Sequence, residues 1–208
     1  MSLADPTSLL AGARIIPVLT IDRGNDAVPL ARALREGGLP VIEVTLRTAA
    51  ALDAVRAIVE QLPDVVVGIG TITTVTDITD AISAGAKYLV SPGTPDTLAA
   101  ALVEARVPAI PGCATASEAM ALAARGFSLL KFFPARAAGG IDFLKSVAAP
   151  LPEIRFCPTG GIDGTNAAEY LALPNVVAVG GSWVAPRDAI AAGDFAKITA
   201  LARAAARL

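Results

Sequence analysis

The stretch Ser128-Leu129-Leu130-Lys131-Phe132-Phe133-Pro134 is an apolar run that contains one lysine. A run this continuous is typical of a strand buried on both faces, as in a parallel sheet. An isolated ammonium is costly to bury, so burial favours loss of its proton. A neutral lysine amine attacks ketones and forms a Schiff base. The alternative is a lysine that reaches water from the end of its strand.

Strand-like runs alternate with Ala/Leu/Arg-rich helical stretches along the whole chain. Such alternation predicts parallel pairing through right-handed crossovers. Eight such units indicate an α/β protein with a closed (β/α)₈ TIM barrel, and a doubly wound open sheet is the alternative. The predicted strands are Arg14–Thr20, Val41–Arg47, Val65–Thr71, Tyr88–Pro92, Val107–Pro111, Ser128–Phe133, Ile154–Thr159 and Val176–Gly180.

The chain is predicted to form one domain over residues 1–208, because no linker, low-complexity tract or charge run divides it. Its 208 residues are 54% apolar and 17% charged, which suits a single substantial core. A short helix over Thr7–Ala13 is predicted to cap the bottom of the barrel.

The net charge of −2 leaves no basic footprint for nucleic acid or for an acidic membrane surface. Charges, glycine or proline interrupt each apolar stretch before it could cross a bilayer. The N-terminus lacks a basic start and an apolar signal core. We therefore expect a cytoplasmic protein with no membrane partner.

The chain contains no histidine, which removes the commonest general base and the commonest metal ligand. Acid–base work must then fall to carboxylate, lysine, tyrosine or water, and we expect no metal. Cys113 and Cys157 do not make a disulfide framework, so buried reduced thiols are expected.

The second predicted strand places three polar side chains on one face. Strand residues alternate between faces, so Glu43, Thr45 and Arg47 point together. The outer helices require the apolar face, which turns these three side chains into the barrel, where Lys131 also points. Buried polar groups must pair or work, and a structural Glu43–Arg47 ion pair is the alternative.

Further candidates lie at the carboxyl ends of other strands, where barrels place their active sites. Thr71 offers a hydroxyl at the mouth, although a helix N-cap is its common alternative role. The pairs Gly160-Gly161 and Gly180-Gly181 follow the last two strands, a position where barrels bind phosphate. Glycine pairs can also simply turn the chain. Phe132 should pack outward, and Phe133 should wall a ketone pocket.

The chain also resembles the 2-keto-3-deoxy-6-phosphogluconate aldolase family over nearly its whole length. The motifs that carry the resemblance are Glu43-Val44-Thr45-Leu46-Arg47-Thr48, Gly68-Ile69-Gly70-Thr71, Ser91-Pro92-Gly93, Pro111-Gly112, Lys131-Phe132-Phe133-Pro134, Cys157-Pro158-Thr159-Gly160-Gly161 and Gly180-Gly181-Ser182-Trp183. The resemblance implies a metal-independent class I aldolase, a (β/α)₈ barrel, a homotrimer and no cofactor beyond a covalent lysine.

The resemblance also implies a role for each site residue. Lys131 matches the Schiff-base lysine, and Glu43 matches the general acid/base. Arg47 and Thr71 match groups that hold the pyruvyl carboxylate. The residues that match the ketone pocket are Pro92, Phe133 and Thr159, and those that match the phosphate site are Gly160, Gly161, Gly181 and Ser182. Arg136 departs from the family pattern, in which an acid follows the Phe-Pro-Ala run.

The activity implied is cleavage of 2-keto-3-deoxy-6-phosphogluconate to pyruvate and glyceraldehyde 3-phosphate. Two alternatives keep the lysine and change the substrate to 4-hydroxy-2-oxoglutarate or 2-keto-3-deoxy-6-phosphogalactonate. A non-enzymatic alternative is a barrel that only binds sugar phosphates or keto acids. Simple binding, however, needs no deprotonated amine.

Overall fold

The computed structural model describes residues 6–10 and 12–208, without the side chain of Leu9. Strands and helices alternate through this part of the chain, as predicted. The described strands are β1 (Ile15–Leu19), β2 (Val41–Thr45), β3 (Val66–Gly70), β4 (Tyr88–Val90), β5 (Ala109–Ile110), β6 (Gly112–Cys113), β7 (Leu129–Phe132), β8 (Arg155–Pro158) and β9 (Val179–Gly181).

The helices lie between the strands and cover their outer faces. A short 3₁₀ helix, Gly24–Asp26, precedes α2. The helices are α1 (Pro6–Leu10), α2 (Ala27–Glu36), α3 (Ala51–Gln61), α4 (Val75–Ser83), α5 (Asp96–Ala105), α6 (Ala116–Ala124), α7 (Gly140–Ala148), α8 (Ala167–Leu171), α9 (Arg187–Ala192) and α10 (Phe195–Ala205). Among these helices, none is long and apolar enough to span a bilayer.

All strand pairs recorded in the two sheets are parallel, which confirms the predicted α/β class. One curled sheet has the order β5-β4-β3-β2-β1-β9, and a second has the order β6-β7-β8. Two parallel bridges, Phe156↔Val176 and Thr159↔Gly180, connect β8 to the segment that contains β9.

The fifth predicted strand, Val107–Pro111, differs from the structure. Only Ala109–Ile110 of this range forms β5, and a further strand, β6, follows Pro111; β5 pairs with β4 and β6 pairs with β7. Pro111 stands between the two strands and has no N–H to donate to a ladder. Its carbonyl still accepts a hydrogen bond from the Lys131 N–H at 2.9 Å. The break between β5 and β6 therefore falls beside the strand that carries the candidate lysine.

Buried side chains separate into an inner cluster enclosed by the strands and an outer cluster beneath the helices. The inner cluster consists of Leu10, Ile16, Val41, Tyr88, Val90, Ile110, Leu129, Cys157 and Ala178. Ile42, Val44 and Leu130 belong to the outer cluster, so the predicted alternation of β2 and β7 is confirmed. Phe132 also faces outward, where its ring stacks on Phe143 of α7 with centroids 4.5 Å apart.

The N-terminal helix begins and ends earlier than the predicted range Thr7–Ala13. It spans Pro6–Leu10, and Ala11 lies outside the described residues. Leu10 is 1% exposed and belongs to the inner cluster. The end of α1 therefore contributes apolar surface to the space that the strands enclose.

Candidate active site

Lys131 of β7 and Glu43 of β2 form a buried ion pair. Lys131 Nζ lies 2.9 Å from Glu43 Oε1 and 3.3 Å from Oε2. Their side chains are 7% and 5% exposed. The predicted meeting of these two residues in the interior of the protein is confirmed. The lysine is not isolated, however, because it pairs with Glu43. Two alternatives are therefore wrong: a lysine that reaches water from the end of its strand, and a Glu43–Arg47 ion pair.

Two features hold the Glu43 side chain in place. Gly70 lies directly beside it and leaves room for it. A Cβ at this glycine would overlap Glu43 Oε1 and would stand 2.6 Å from Cδ. Tyr88 lies next to the carboxylate in the inner cluster and donates a hydrogen bond from its hydroxyl to the Ile42 carbonyl at 2.8 Å. Burial, and then the nearby Glu43 charge, raise the pKa of Tyr88 well above its usual value. Tyr88 is thus a neutral support for the ion pair.

The Lys131–Glu43 contact allows proton transfer between the two side chains as well as electrostatic attraction. A lysine must lose a proton before its nitrogen can attack a ketone, and Glu43 Oε1 is within direct transfer distance. Removing either partner would leave a buried charge without compensation. The geometry therefore provides a nucleophile and its base in one water-poor site.

Cys157 is the other nucleophilic group beside the ion pair. Burial raises the pKa of its thiol to about 12, with Lys131 opposing and Glu43 adding to the increase. Burial also raises the pKa of Cys113 to about 12. Both cysteines are free and buried, as predicted. Neutral thiols are poor nucleophiles at neutral pH, so neither cysteine is a candidate nucleophile.

Arg47 lies at the mouth of the site and not inside it, contrary to the prediction. The second strand ends at Thr45, and the chain turns at Leu46, whose N–H bonds the Gly70 carbonyl at 2.9 Å. Because the alternation of side chains stops with the strand, Arg47 becomes exposed. Within the described part of the chain its guanidinium has no hydrogen-bond or ion-pair partner. Thr45 remains inside and donates to the Leu19 carbonyl at 2.8 Å.

A pocket above the ion pair brings Arg47 together with both predicted glycine segments. It is lined by Val18, Arg47, Phe133, Thr159, Gly160, Gly161, Ile162, Gly181 and Ser182. Lys131 Nζ lies 5.6 Å from the centroid of the Phe133 ring, so the pocket adjoins the lysine. The Thr159 hydroxyl is buried, with the Cys157 thiol beside it and no nitrogen or oxygen partner among the described residues. An unpaired cation and a hydroxyl with only a weak thiol partner suit an anionic, oxygen-rich ligand.

The glycine segments have conformations that larger residues would not adopt. Gly160 and Gly161 have φ values of 100° and 75°, in the left-handed region. Gly181 is overlaid by the Trp183 ring, which would overlap a Cβ at this position. Trp183 thus packs against the loop. Gly160, Gly161 and Gly181 therefore carry no side chain of their own between their backbone and the pocket.

Thr71 and Pro92 follow β3 and β4 at the same end of the sheet but do not line this pocket. Thr71 has a φ of 65°, an unusual conformation for a β-branched residue and one that accumulates at functional sites. Its alternative role as a helix N-cap is wrong, because Thr74 caps α4. The Pro92 carbonyl packs closely against Gly112, which lies opposite Lys131 where β6 pairs with β7.

Sequence reasoning did not identify several residues around the site. Val18 and Ile162 line the pocket, but an apolar residue at a strand end carries no signal for function. Ser91 and Thr94 share a hydrogen bond of 2.8 Å, and both bond the Gly112 backbone. In the sequence, the motif Ser91-Pro92-Gly93 was the feature that could have indicated these hydrogen bonds to Gly112. No set of three or more His, Cys, Asp or Glu side chains in residues 6–10 and 12–208 could hold a metal ion.

A parallel α/β fold with a buried lysine–carboxylate pair, close to a pocket that contains an exposed arginine, is the arrangement expected of a class I aldolase, which works through a Schiff base. Comparison with known proteins agrees with this class. The family model described as KDPG and KHG aldolase matches residues 7–201. The chain belongs to this family and is a lyase of the 2-keto-3-deoxy-6-phosphogluconate (KDPG) aldolase type.

Relatives and solved structures cover almost the whole chain. The KHG/KDPG aldolase of Escherichia coli K12 is 45% identical over 95% of this chain and 93% of its own length. A Legionella pneumophila KDPG aldolase with pyruvate captured as a covalent carbinolamine is 44% identical, with a TM-score of 0.94 over 97% of this chain and 98% of that one. A Zymomonas mobilis KDPG aldolase with 3-phosphoglycerate is 43% identical, with a TM-score of 0.92 over 99% and 96% of the two chains.

Proposed function

We propose that Lys131 is the Schiff-base lysine of this aldolase and that Glu43 is its general acid/base. The observation that carries the proposal is the buried Nζ–Oε1 contact of 2.9 Å beneath the pocket. The other lysines, Lys87, Lys145 and Lys197, are exposed. Desolvation around the pair strengthens its electrostatics and excludes competing water chemistry.

The reaction then follows from the proton path. Glu43 accepts a proton from Lys131, and the neutral Nζ attacks the C2 ketone to give a carbinolamine. Glu43 returns this proton to the C2 hydroxyl, which leaves as water, and the resulting iminium withdraws electrons from C3. Glu43, directly or through water, removes the C4 hydroxyl proton, and the C3–C4 bond breaks to release glyceraldehyde 3-phosphate. The remaining enamine is protonated at C3 and hydrolysed to pyruvate and free lysine.

Turnover by two variants tests this assignment. Lys131→Arg should lose KDPG cleavage, because a guanidinium stays protonated. Glu43→Gln should reduce kcat by about 10²–10⁴-fold, the usual contribution of a general acid or base. Lys145→Arg is the matched control and should behave as wild type. Turnover within a few-fold of wild type in a folded Glu43→Gln variant would assign the acid/base role elsewhere.

We propose that Arg47 and Thr71 orient the pyruvyl carboxylate and that Pro92, Phe133 and Thr159 surround the ketone. Arg47 is exposed to the pocket without a partner among the described residues, and the buried Thr159 hydroxyl has only the Cys157 thiol beside it. A bidentate guanidinium–carboxylate contact would fix the substrate for attack, which is chiefly an orientation effect. Arg47→Ala should raise the KM for pyruvate in the reverse reaction while the circular dichroism spectrum stays native.

We further propose that Gly160, Gly161, Gly181 and Ser182 bind the substrate phosphate and so favour KDPG over unphosphorylated 4-hydroxy-2-oxoglutarate. All four line the pocket, and their backbone N–H groups can approach an anion closely. Gly161→Asp and Ser182→Asp should therefore raise the KM for KDPG sharply. Cleavage of 4-hydroxy-2-oxoglutarate should change little, because it carries no phosphate. Equal damage to both activities in a folded variant would leave these residues as turns only.

The chain is also proposed to form one closed (β/α)₈ barrel domain over residues 1–208, capped at one end by α1. The bridges between β8 and the β9 segment support closure at one junction of the two sheets. At the other junction β5 of the first sheet and β6 of the second are separated only by Pro111. Leu10 in the inner cluster supports the cap. Leu10→Ala should lower the midpoint of thermal unfolding, since truncating a buried leucine costs about 2–5 kcal/mol.

A cytoplasmic homotrimer without added cofactor completes the proposal. Val75, Ile82 and Met120 are large apolar side chains that stay exposed on the single chain, and a subunit interface would cover such groups. Light scattering should give about three times the chain mass of 21.0 kDa.

The substrate epimer at C4, gluconate or galactonate, is tested by assaying both with the same enzyme sample.

A further inference from the structure

Arg136 stands beside the proposed phosphate loop, at the position where the sequence departs from its family pattern. The N–H of Arg136 donates to the Gly160 carbonyl at 3.0 Å. Its side-chain stem lies along Gly161, since a Cβ at that glycine would be 2.6 Å from Arg136 Cβ and 2.9 Å from Cδ. Gly161 in turn lines the pocket. The arginine stem therefore packs directly against a glycine of the pocket lining.

The Arg136 guanidinium is unpaired among the described residues, and its side chain packs on the loop. The side chain is exposed and has no hydrogen-bond or ion-pair partner among residues 6–10 and 12–208. Most other exposed arginines with a nearby acid are paired, for example Arg187 with Asp22 at 2.7 Å. A guanidinium that no carboxylate neutralises is available to an incoming anion.

Asp163 makes this cation matter, because it puts a negative charge two residues after Gly161. Hydrogen bonds from the Thr165 side chain and backbone lower the pKa of Asp163, and the field of Arg136 lowers it further. Asp163 is therefore ionised at neutral pH and would repel a phosphate dianion. Arg136 supplies the opposite charge on the other side of the same loop.

We propose that Arg136 is a specificity-determining residue that offsets Asp163 and attracts the phosphate of the substrate to the Gly160-Gly161 loop. This inference rests on the proposed phosphate site. It predicts an effect on substrates with a distal phosphate and none on the chemistry at Lys131. It also predicts that the effect weakens with ionic strength, since exposed charges are screened.

The experiment compares Arg136→Gln with Arg136→Lys and with Arg32→Gln, a matched loss of one arginine charge on α2. For KDPG, Arg136→Gln should raise KM about 5-fold at low salt with kcat unchanged, and 0.5 M KCl should shrink the difference toward 1. Arg136→Lys should stay within about 2-fold of wild type, because it keeps the charge. Kinetics with 4-hydroxy-2-oxoglutarate should not change in any of the three.

A double variant tests the balance with Asp163 directly. Arg136→Gln combined with Asp163→Asn should recover most of the lost KDPG affinity, since both charges are then absent. A KM for KDPG within 2-fold of wild type in Arg136→Gln, while Ser182→Asp still selectively raises it, would overturn the inference and leave the phosphate site intact. Equal effects of Ser182→Asp on both substrates would instead remove the phosphate site itself.

Discussion

Gly70 provides the space in which the Glu43 carboxylate meets Lys131. A side chain at this position would overlap Glu43 Oε1 and crowd Cγ and Cδ. The motif Gly68-Ile69-Gly70-Thr71 therefore has a steric purpose at its third residue, in addition to the strained Thr71 that follows. Such close approach is the use of glycine that no other residue can replace.

Gly70→Ala should reduce KDPG turnover at least about 10²-fold, because the carboxylate must leave its contact with Nζ and acid–base transfer is lost. Steady-state kinetics beside a circular dichroism spectrum would measure this. Gly24→Ala is the control, since no atom lies within 4 Å of its added Cβ. Near-normal activity in a folded Gly70→Ala variant would mean that the Glu43 position is not critical.

At the scale of elements, two helices begin with complete capping boxes. Thr74 caps α4 by accepting from the Asp77 N–H at 3.1 Å, while Asp77 accepts from the Thr74 N–H at 2.9 Å. Thr115 and Glu118 repeat the arrangement at α6. Partial burial opposes ionisation of Asp77, but backbone hydrogen bonds from Thr73 and Thr74 outweigh it and lower the pKa. These helices start at defined residues because their first N–H groups are satisfied.

Thr74→Ala should reduce the free energy of unfolding by about 1 kcal/mol, the usual value of an N-cap. The measurement is urea denaturation at pH 7 and one fixed protein concentration. Thr79→Ala is an exposed substitution of the same kind inside α4 and should cause no loss, since alanine is the better helix former. Equal stability of the two variants would show that the box contributes nothing.

The elements also mark how far the sequence could predict the structure. Inward and outward faces of β2 and β7 were predictable because side chains alternate with a period of two. The end of β2 at Thr45 was not, because it depends on the Leu46 N–H bonding Gly70 from another strand. The Lys131–Glu43 contact joins residues 88 positions apart, and only tertiary register decides it. The fifth strand was predicted to end at Pro111, but the further strand β6 that follows it was not predicted.

The whole molecule brings Glu43 of one parallel sheet and Lys131 of the other together, below the pocket residues that follow the strands. The parallel strands were predictable from the alternation of strands and helices, and the motifs supplied the candidate site residues. The side chains that finish the pocket, Val18 and Ile162, were not predictable, because each is an ordinary core residue in sequence. Their roles arise only when strands distant in sequence become neighbours.

Exhaustive chelation should leave the activity of the whole enzyme intact. The iminium on Lys131 supplies the electron sink for which other aldolases use a metal ion, so none is needed. Dialysis against EDTA followed by a KDPG cleavage assay measures this directly. Activity lost under EDTA and restored by a divalent cation would contradict the proposed route.

The central claim is that Lys131 is the residue that becomes covalently attached to substrate. Borohydride reduction in the presence of pyruvate, followed by peptide mass spectrometry, tests it most directly. The account predicts one reduced pyruvyl group per chain, located on Lys131 and absent from Lys131→Arg. Modification of Lys87, Lys145 or Lys197 in its place, or persistent labelling of the Lys131→Arg variant, would contradict it.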